Sequence, residues 1–133
     1  MKPEFIELAK YRIVKAKETI ADARIYYENA SSASTVNRIY YAMFYAVNAL
    51  LITAGKFSAK HAGVRSLLNR EFVKTGIVDV EAGKFYSEMF DTRQEGDYKD
   101  FMSFNKEDIA VWLEKAEGFI EAMETIVRER MKE

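Results

Sequence analysis

Arg93 is a charged residue on a helix face that is otherwise apolar. It ends a line of residues spaced by four, three and four positions, as neighbours on one face of a helix are. The line consists of Ala82, Tyr86, Met89 and Arg93. A guanidinium held along such a face needs an anionic partner. Three partners are open: the carboxylate of Asp97, four residues further on, the carboxylate of a glutamate, or the phosphate of a bound ligand.

A second polar line runs through the most apolar stretch of the chain, residues 37–51. Its members, spaced by three, four and three, are Arg38, Tyr41, Tyr45 and Asn48. A helix that is apolar nearly all round has to lie among other helices. Tyr41 and Tyr45 are therefore interpreted as core residues with bonded hydroxyls, and Arg38 as the polar end of the helix or as a ligand for phosphate. A further line of small residues, where a neighbouring helix can come close, consists of Ala42, Ala46 and Ala49.

His61 is the single histidine of the chain, and it stands beside Lys60 near the start of a short helix. A histidine there serves as a cap or packing residue, or it moves protons at a site. One histidine cannot supply the two Glu-x-x-His pairs of a di-iron helical bundle, and without cysteine the usual zinc ligands are missing as well. The glycines are too far apart for a phosphate-binding loop. The sequence predicts neither a metal nor a cofactor.

The apolar spacing predicts the helices that position these residues. In the first helix, which starts near Pro3, large and small residues alternate along a heptad seam. The large positions are Ile6, Ile13, Ile20 and Tyr27, and the small ones are Ala9, Ala16, Ala23 and Ala30. This pattern is typical of a long bundle helix or, as an alternative, of a coiled coil with another chain. Alanine at every second seam position lets a neighbouring helix pack closely.

Caps and turns predict the ends of the next two helices. The second helix starts at Ser34 or Thr35, both of which can cap a helix, and it ends at Gly55. A shorter third helix takes Ser58 as its cap and ends at residues 75–76.

The remaining chain is predicted to form two more long helices. The fourth runs over about residues 79–94, and Gly96 breaks or ends it. Residues 97–104 are predicted as a packed loop, and Asn105 caps the last helix. The predicted fold is all-α: a single domain over residues 1–133, built as an antiparallel up-and-down four-helix bundle with an additional short helix.

The composition restricts the classes of function. Of 133 residues, 49% are apolar and 31% are charged, as in a soluble globular domain that is long enough to bury a core. A net charge of −1 argues against bulk electrostatic capture of nucleic acid. Since no cysteine, signal peptide or membrane span is recognised, we expect a cytoplasmic protein without membrane association.

The charge is unevenly distributed along the chain. Residues 56–74 hold five basic side chains and one acidic one, whereas residues 79–100 hold seven acidic and three basic ones. The two stretches either neutralise each other within the fold or dock on the charges of a partner protein.

Four short motifs together resemble the HEPN-domain superfamily and, within it, a group of small prokaryotic proteins. The motifs are Arg38-x-Tyr-Tyr-Ala-x-Phe with Gly55 after its helix, Lys60-His61-x-Gly63, Phe72-Val-Lys-x-Gly76, and Arg93-x-x-x-Asp97-Tyr98. As a set they are fairly specific, and they cover residues 5–127 of the chain.

The resemblance implies an all-helical homodimer that is often encoded beside a minimal nucleotidyltransferase. Several members are metal-independent ribonucleases and toxins of toxin–antitoxin pairs, and their active motif is Arg, four to six residues, and His. Arg93 matches the arginine, but no histidine follows it after four, five or six residues. Tyr98 stands where a gap of four residues would place the histidine. Such a ribonuclease needs a group that moves protons. His61 supplies one if the third helix packs near Arg93.

Three functions follow as hypotheses. The first is a HEPN-type dimer that binds RNA or a nucleotide and acts with a nucleotidyltransferase partner in a toxin–antitoxin pair. Its arginines would hold phosphate and its tyrosines would stack on bases. The residues expected at this site are Arg38, Tyr41, His61, Arg93, Asp97 and Tyr98. The second is a metal-independent ribonuclease toxin that uses Arg93 with His61 or Tyr98. The third is a non-catalytic protein-interaction module.

Overall fold

The computed structural model describes residues 1–29, 32–98 and 104–132, and it describes the side chains of all of these except residues 95–98. Its α-helices are α1 (Pro3–Asn29), α2 (Ser32–Thr53), α3 (His61–Leu68), α4 (Val80–Tyr98) and α5 (Lys106–Met131). A π-helical stretch, Asn69–Val73, continues α3. The described residues contain no β-strand, so the predicted all-α fold is confirmed. None of the helices in these ranges is long and apolar enough to cross a membrane.

Side-chain contacts along α1 give the directions of its neighbours. The ion pairs between α1 and α5 are Lys17–Glu124 and Arg24–Glu117. The cation–ring contacts between α1 and α2 are Lys15–Tyr45 and Arg38–Tyr26. In both sets the number of the partner falls as the number along α1 rises. Helix α1 therefore runs antiparallel to both α2 and α5, as expected for an up-and-down bundle.

Helix α2 forms the centre of the core. It packs on α1, α4 and α5, and twelve of its 22 residues are buried. The predicted small-residue line of α2 is wholly buried, and so are three of the four small positions in the α1 seam. These residues are Ala42, Ala46 and Ala49 on α2 and Ala9, Ala16 and Ala23 on α1. The fourth small position, Ala30, lies outside the described residues. Because an alanine extends by only one carbon, the backbones of α1 and α2 can approach each other closely.

Two predicted helix ends have the expected stereochemistry. Gly55 follows α2 with φ +68°, the left-handed conformation that glycine adopts without strain. The N–H groups of residues 55 and 56 bond to carbonyls in the last turn of α2, which ends the helix. Asn105 caps α5, because its Oδ1 accepts the N–H groups two and three residues further on.

Two predicted helix starts are wrong. Helix α2 begins at Ser32, before the predicted caps Ser34 and Thr35. The N-cap of α3 is Lys60 instead of Ser58. The Ser58 hydroxyl accepts the backbone N–H of Lys60 at 3.2 Å, and Lys60 lies just before the first residue of α3. That bond closes a turn ahead of the helix, so α3 starts only at His61.

The predicted end of α4 is also wrong. The helix continues through Gly96 to Tyr98. A single glycine costs a helix interior only about 1 kcal/mol relative to alanine, so it does not have to end one. Asp97 and Tyr98 therefore belong to α4 and not to the loop predicted for residues 97–104. Residues 99–103 of that loop lie outside the described residues.

The uneven charge is partly neutralised within the fold. Arg65 of the basic stretch lies 3.3 Å from the carboxylate of Asp91 in the acidic stretch. Both side chains keep solvent contact, so the pair contributes little to stability. The pair agrees with the interpretation that the two charged stretches neutralise each other within the fold.

The alanine seam allows a test of the helix packing. Ala16→Leu adds three carbons at a position with no exposed surface, so overpacking should lower the free energy of unfolding by about 1–3 kcal/mol. Chemical denaturation followed by circular dichroism measures this change. Ala21→Leu, on the exposed face of the same helix, is the matched control and should stay within about 0.5 kcal/mol of the parent. Equal stability of the two variants would contradict close packing at the seam.

Candidate functional site

Arg93 lies half-buried on the inner face of α4, one turn beyond the wholly buried Met89. Its Nη1 donates a hydrogen bond to the hydroxyl of Tyr41 over 3.1 Å. Its Cζ lies 4.9 Å from the ring centroid of Tyr40 and 5.5 Å from that of Tyr41. These are distances at which a cation is attracted to an aromatic ring. Two tyrosines of α2 therefore hold the positive charge of Arg93 in place.

His61 reaches the same two tyrosines from the start of α3. Its ring stacks on that of Phe44 with centroids 4.4 Å apart. It lies 5.7 Å from the ring of Tyr40 and 5.6 Å from that of Tyr41. Its Nδ1 is 2.9 Å from the Tyr40 hydroxyl, a normal hydrogen-bond distance. The structure thus brings His61 and Arg93 together on one pair of rings.

The turn that delivers His61 depends on Gly63. A Cβ at this position would lie 2.1 Å from the hydroxyl oxygen of Ser58, so a side chain cannot be placed there unless Ser58 moves. The same hydroxyl accepts the backbone N–H of Lys60 and tightens the turn before α3. The close approach therefore favours glycine at residue 63, where the start of α3 packs against the turn before it. This gives the motif Lys60-His61-x-Gly63 a structural explanation.

The surroundings set the protonation states of His61 and Tyr40. Burial and then the charge of Arg93 lower the pKa of His61 below its ordinary value of 6.5. Burial, the largest influence, raises the pKa of Tyr40 above 10.0. At neutral pH the imidazole is uncharged and the phenol keeps its proton. The hydrogen bond between them has two possible directions: the Tyr40 hydroxyl donates to Nδ1, or the N–H of Nδ1 donates to the Tyr40 oxygen. In the second case Nε2 carries no proton and can accept one.

Tyr86 supports Tyr40 from inside the core. It is wholly buried, its ring centroid lies 5.9 Å from that of Tyr40, and it stacks on Phe119 at 6.0 Å. Burial raises the pKa of Tyr86 well above its ordinary value, and the neighbouring Tyr40 adds to this shift. Phe90 packs edge-on against Tyr40 from α4. These rings limit the movement of Tyr40 and so fix the hydroxyl that meets His61.

The arrangement is suited to an anion. Arg93 provides a fixed positive charge, and the imidazole of His61 beside it is uncharged and able to exchange a proton. Across the part of the chain that the structure describes, there is no group of three or more His, Cys, Asp or Glu side chains that could hold a metal ion. Phosphate and carboxylate are the two common anions whose oxygens match the planar fork of an arginine.

The sequence matches the family model of the HEPN domain over residues 9–126. The chain belongs to the HEPN domain family. A UPF0332 protein of Thermotoga maritima is 45% identical over 123 residues, which cover 92% of this chain and 93% of that protein. In Methanocaldococcus jannaschii, "Putative toxin MJ0142" is 35% identical, over 81% of this chain and 74% of its own. "Putative toxin MJ0605" of the same organism is 30% identical, over 86% and 84%. The resemblance inferred from the motifs is confirmed.

Two residues of the predicted HEPN motif lie where side chains are not described. Tyr98 occupies the position of the motif histidine, and Asp97 is the predicted anionic partner of Arg93. Both belong to α4, but their side chains are outside the described part of the HEPN chain. Their roles stay predictions.

Arg38, which the sequence analysis also expected at the site, is exposed, and its Cζ lies 5.4 Å from the ring of Tyr26 on α1. Its role at the site stays a prediction. Tyr41 and Tyr45, which the sequence placed in the core, are only half-buried. Their side of α2 is only partly covered, since Tyr41 meets His61 at the start of the short α3 and Tyr45 meets Lys15 of α1.

Two members of this HEPN site escaped the sequence analysis. Tyr40 carries the hydrogen bond to His61, and Phe44 carries its stacking contact. Tyr40 precedes Tyr41 in the Arg-x-Tyr-Tyr motif, but successive residues of a helix face different sides. The helical spacing that groups Tyr41 with Arg38 and Tyr45 therefore does not include Tyr40.

Because His61 is the only histidine, its imidazole can be titrated by nuclear magnetic resonance without ambiguity. We expect a pKa below 6.5 in the parent protein. Arg93→Gln should raise the pKa, because a positive charge is removed, yet leave it below 6.5, because burial persists. The matched control is Arg24→Gln, which removes an arginine that pairs with Glu117 between α1 and α5 and should leave this pKa unchanged. A parent pKa at or above 6.5 would contradict the position of His61 against the tyrosines.

Proposed function

We propose that this HEPN protein is toxin-like and binds RNA or a nucleotide through a phosphate at Arg93. It does so as a homodimer and acts with a nucleotidyltransferase partner as a toxin–antitoxin pair. The observation that carries the proposal is the guanidinium of Arg93, which two tyrosines hold and which is only partly buried. Membership of the HEPN family and two relatives named as toxins support it.

Because contacts in the free protein already order the Arg93 side chain, less side-chain entropy is lost when a ligand binds. An arginine that is ordered on binding loses up to about 2 kcal/mol of side-chain entropy. The hydrogen bond to Tyr41 and the two ring contacts have already ordered Arg93 in the free protein. With a net charge of −1, the chain cannot rely on long-range attraction of polyanions. Recognition therefore depends on this local site.

A second candidate function is cleavage of RNA without a metal. The observation that favours it is His61, an uncharged imidazole bonded to Tyr40 beside Arg93. In this reaction Nε2 of His61 takes the proton of a ribose 2′-hydroxyl, and the 2′-oxygen forms a bond to the adjacent phosphorus. The bond from phosphorus to the 5′-oxygen breaks, and that oxygen receives the proton from the imidazolium. Arg93 stabilises the negative charge on the phosphoryl oxygens.

The binding proposal is tested with labelled RNA and with a labelled nucleotide, by fluorescence anisotropy. Arg93→Ala should weaken binding tenfold or more, since a charge-assisted hydrogen bond contributes about 1.5–3 kcal/mol. Arg24→Ala, which removes an arginine elsewhere on the surface, serves as the control and should bind like the parent. Circular dichroism confirms that both variants are folded. Equal affinities of Arg93→Ala and the parent would contradict the site.

The cleavage proposal is tested by incubating the protein with mixed RNA in EDTA. Cleavage should persist in EDTA, vanish in Arg93→Ala and fall by about 10²–10⁴ in His61→Ala, the usual contribution of a general base. Its rate should rise with pH through the lowered pKa of His61 and level off above it, because the base must be unprotonated. RNA that binds but stays intact would exclude cleavage and leave the binding function standing.

A further inference from the structure

Aromatic rings and cations lie next to one another in a row that extends from Arg93 across α2 to α1. The Cζ of Arg93 lies 5.5 Å from the ring of Tyr41, and the rings of Tyr41 and Tyr45 are 6.3 Å apart. The Nζ of Lys15 lies 5.5 Å from the ring of Tyr45 and 6.0 Å from that of Tyr11. We call these five side chains the tyrosine track. It connects the site at Arg93 with the outer surface of α1.

The tyrosine track starts at the edge of the core and ends in solvent. Tyr41 and Tyr45 pack against the core from its edge, Lys15 is half-buried beside them, and Tyr11 is 53% exposed. A single exposed tyrosine needs no explanation. Here, however, each ring lies within reach of the next cation or ring, so the five side chains form one connected set. The set offers three rings for stacking and two positive charges.

We propose that the tyrosine track binds an unpaired RNA strand that leads into the site at Arg93. This inference rests on the proposed function, because it takes Arg93 as the place of one phosphate. The bases of a single strand stack on the rings of Tyr45 and Tyr11, and Lys15 holds a phosphate between them. In a duplex the base faces are covered by their neighbours, so the rings have nothing to stack on. The track thus selects single-stranded RNA over both a duplex and a mononucleotide.

The test uses a mixed-sequence RNA strand of about twelve nucleotides, a length within the range that single-strand sites cover. All riboses carry 2′-O-methyl groups, so the strand has no 2′-hydroxyl with which to attack and cannot be cleaved. Affinity is measured by fluorescence anisotropy for the parent, Tyr45→Leu, Tyr11→Ala and Lys15→Ala. Each variant should bind roughly tenfold more weakly, the loss expected for one stacking contact or one phosphate contact. Lys10→Ala, an exposed lysine of the same helix outside the track, is the matched control and should bind within twofold of the parent.

Salt dependence and competitors sharpen the test. The slope of log affinity against log salt should become shallower by about 0.7 in Lys15→Ala, the value for one phosphate neutralised on a single strand. A duplex of the same sequence, also fully 2′-O-methylated, and a single nucleotide should compete far less well than the strand. A duplex that binds as tightly as the strand would overturn the inference.

The outcomes separate the tyrosine track from the site at Arg93. If Arg93→Ala loses affinity while Tyr45→Leu and Lys15→Ala bind like the parent, the track is wrong and the proposed function stands. If the folded parent binds neither RNA nor the nucleotide, the proposed function fails and the track fails with it. If it binds the nucleotide but no RNA strand, only the track fails. If the tyrosine variants keep their affinity but lose the dimer by light scattering, the face is a contact between copies of the chain, which also overturns the track.

Discussion

The close approach of α1 to α2 determines where polar groups can lie in this structure. Alanines are wholly buried on both helices, and side chains this small allow the two backbones to pack closely. Helices α4 and α5 cover further sides of α2. What is left is the side that meets the short α3, where Tyr41 and Tyr45 are only half-buried. The candidate site lies on this side because the long helices leave it partly open.

Tyr40 connects the core to the site. Its ring has no exposed surface and packs among Phe44, Tyr86 and Phe90, and Arg93 lies over it. Its hydroxyl meets His61. The geometry of the two candidate functional side chains is therefore set by core packing on three helices, where side chains are held close to single rotamers. A site built in this way needs no ordered loop to bring its groups together.

Local periodicity explains what the sequence could predict. Spacing along one helix predicts the alanine seam and the inner position of Arg93. A single residue type predicts the end of α2 at Gly55 and the cap at Asn105. The encounter of His61 with Tyr40 depends instead on the path of the chain between α2 and α3. Along that path Gly63 and Ser58 lie too close for a side chain at residue 63, a contact that no helical period reveals. Sequence reasoning could name both chemical groups but could not place them side by side.

In the proposed cleavage, the effect of Arg93 on His61 differs between the free protein and the complex with a phosphate. In the free protein, burial and then the positive charge of Arg93 lower the pKa of His61, so the imidazole is uncharged at neutral pH. A phosphate bound at Arg93 brings negative charge that offsets the guanidinium, so this cause of the lowered pKa is removed. Each pKa unit regained corresponds to about 1.4 kcal/mol of additional affinity for the proton. The imidazole thus enters the complex unprotonated and becomes a stronger base when the phosphate arrives. An arginine beside a general base is then an advantage, because its effect on the base weakens when substrate occupies the site.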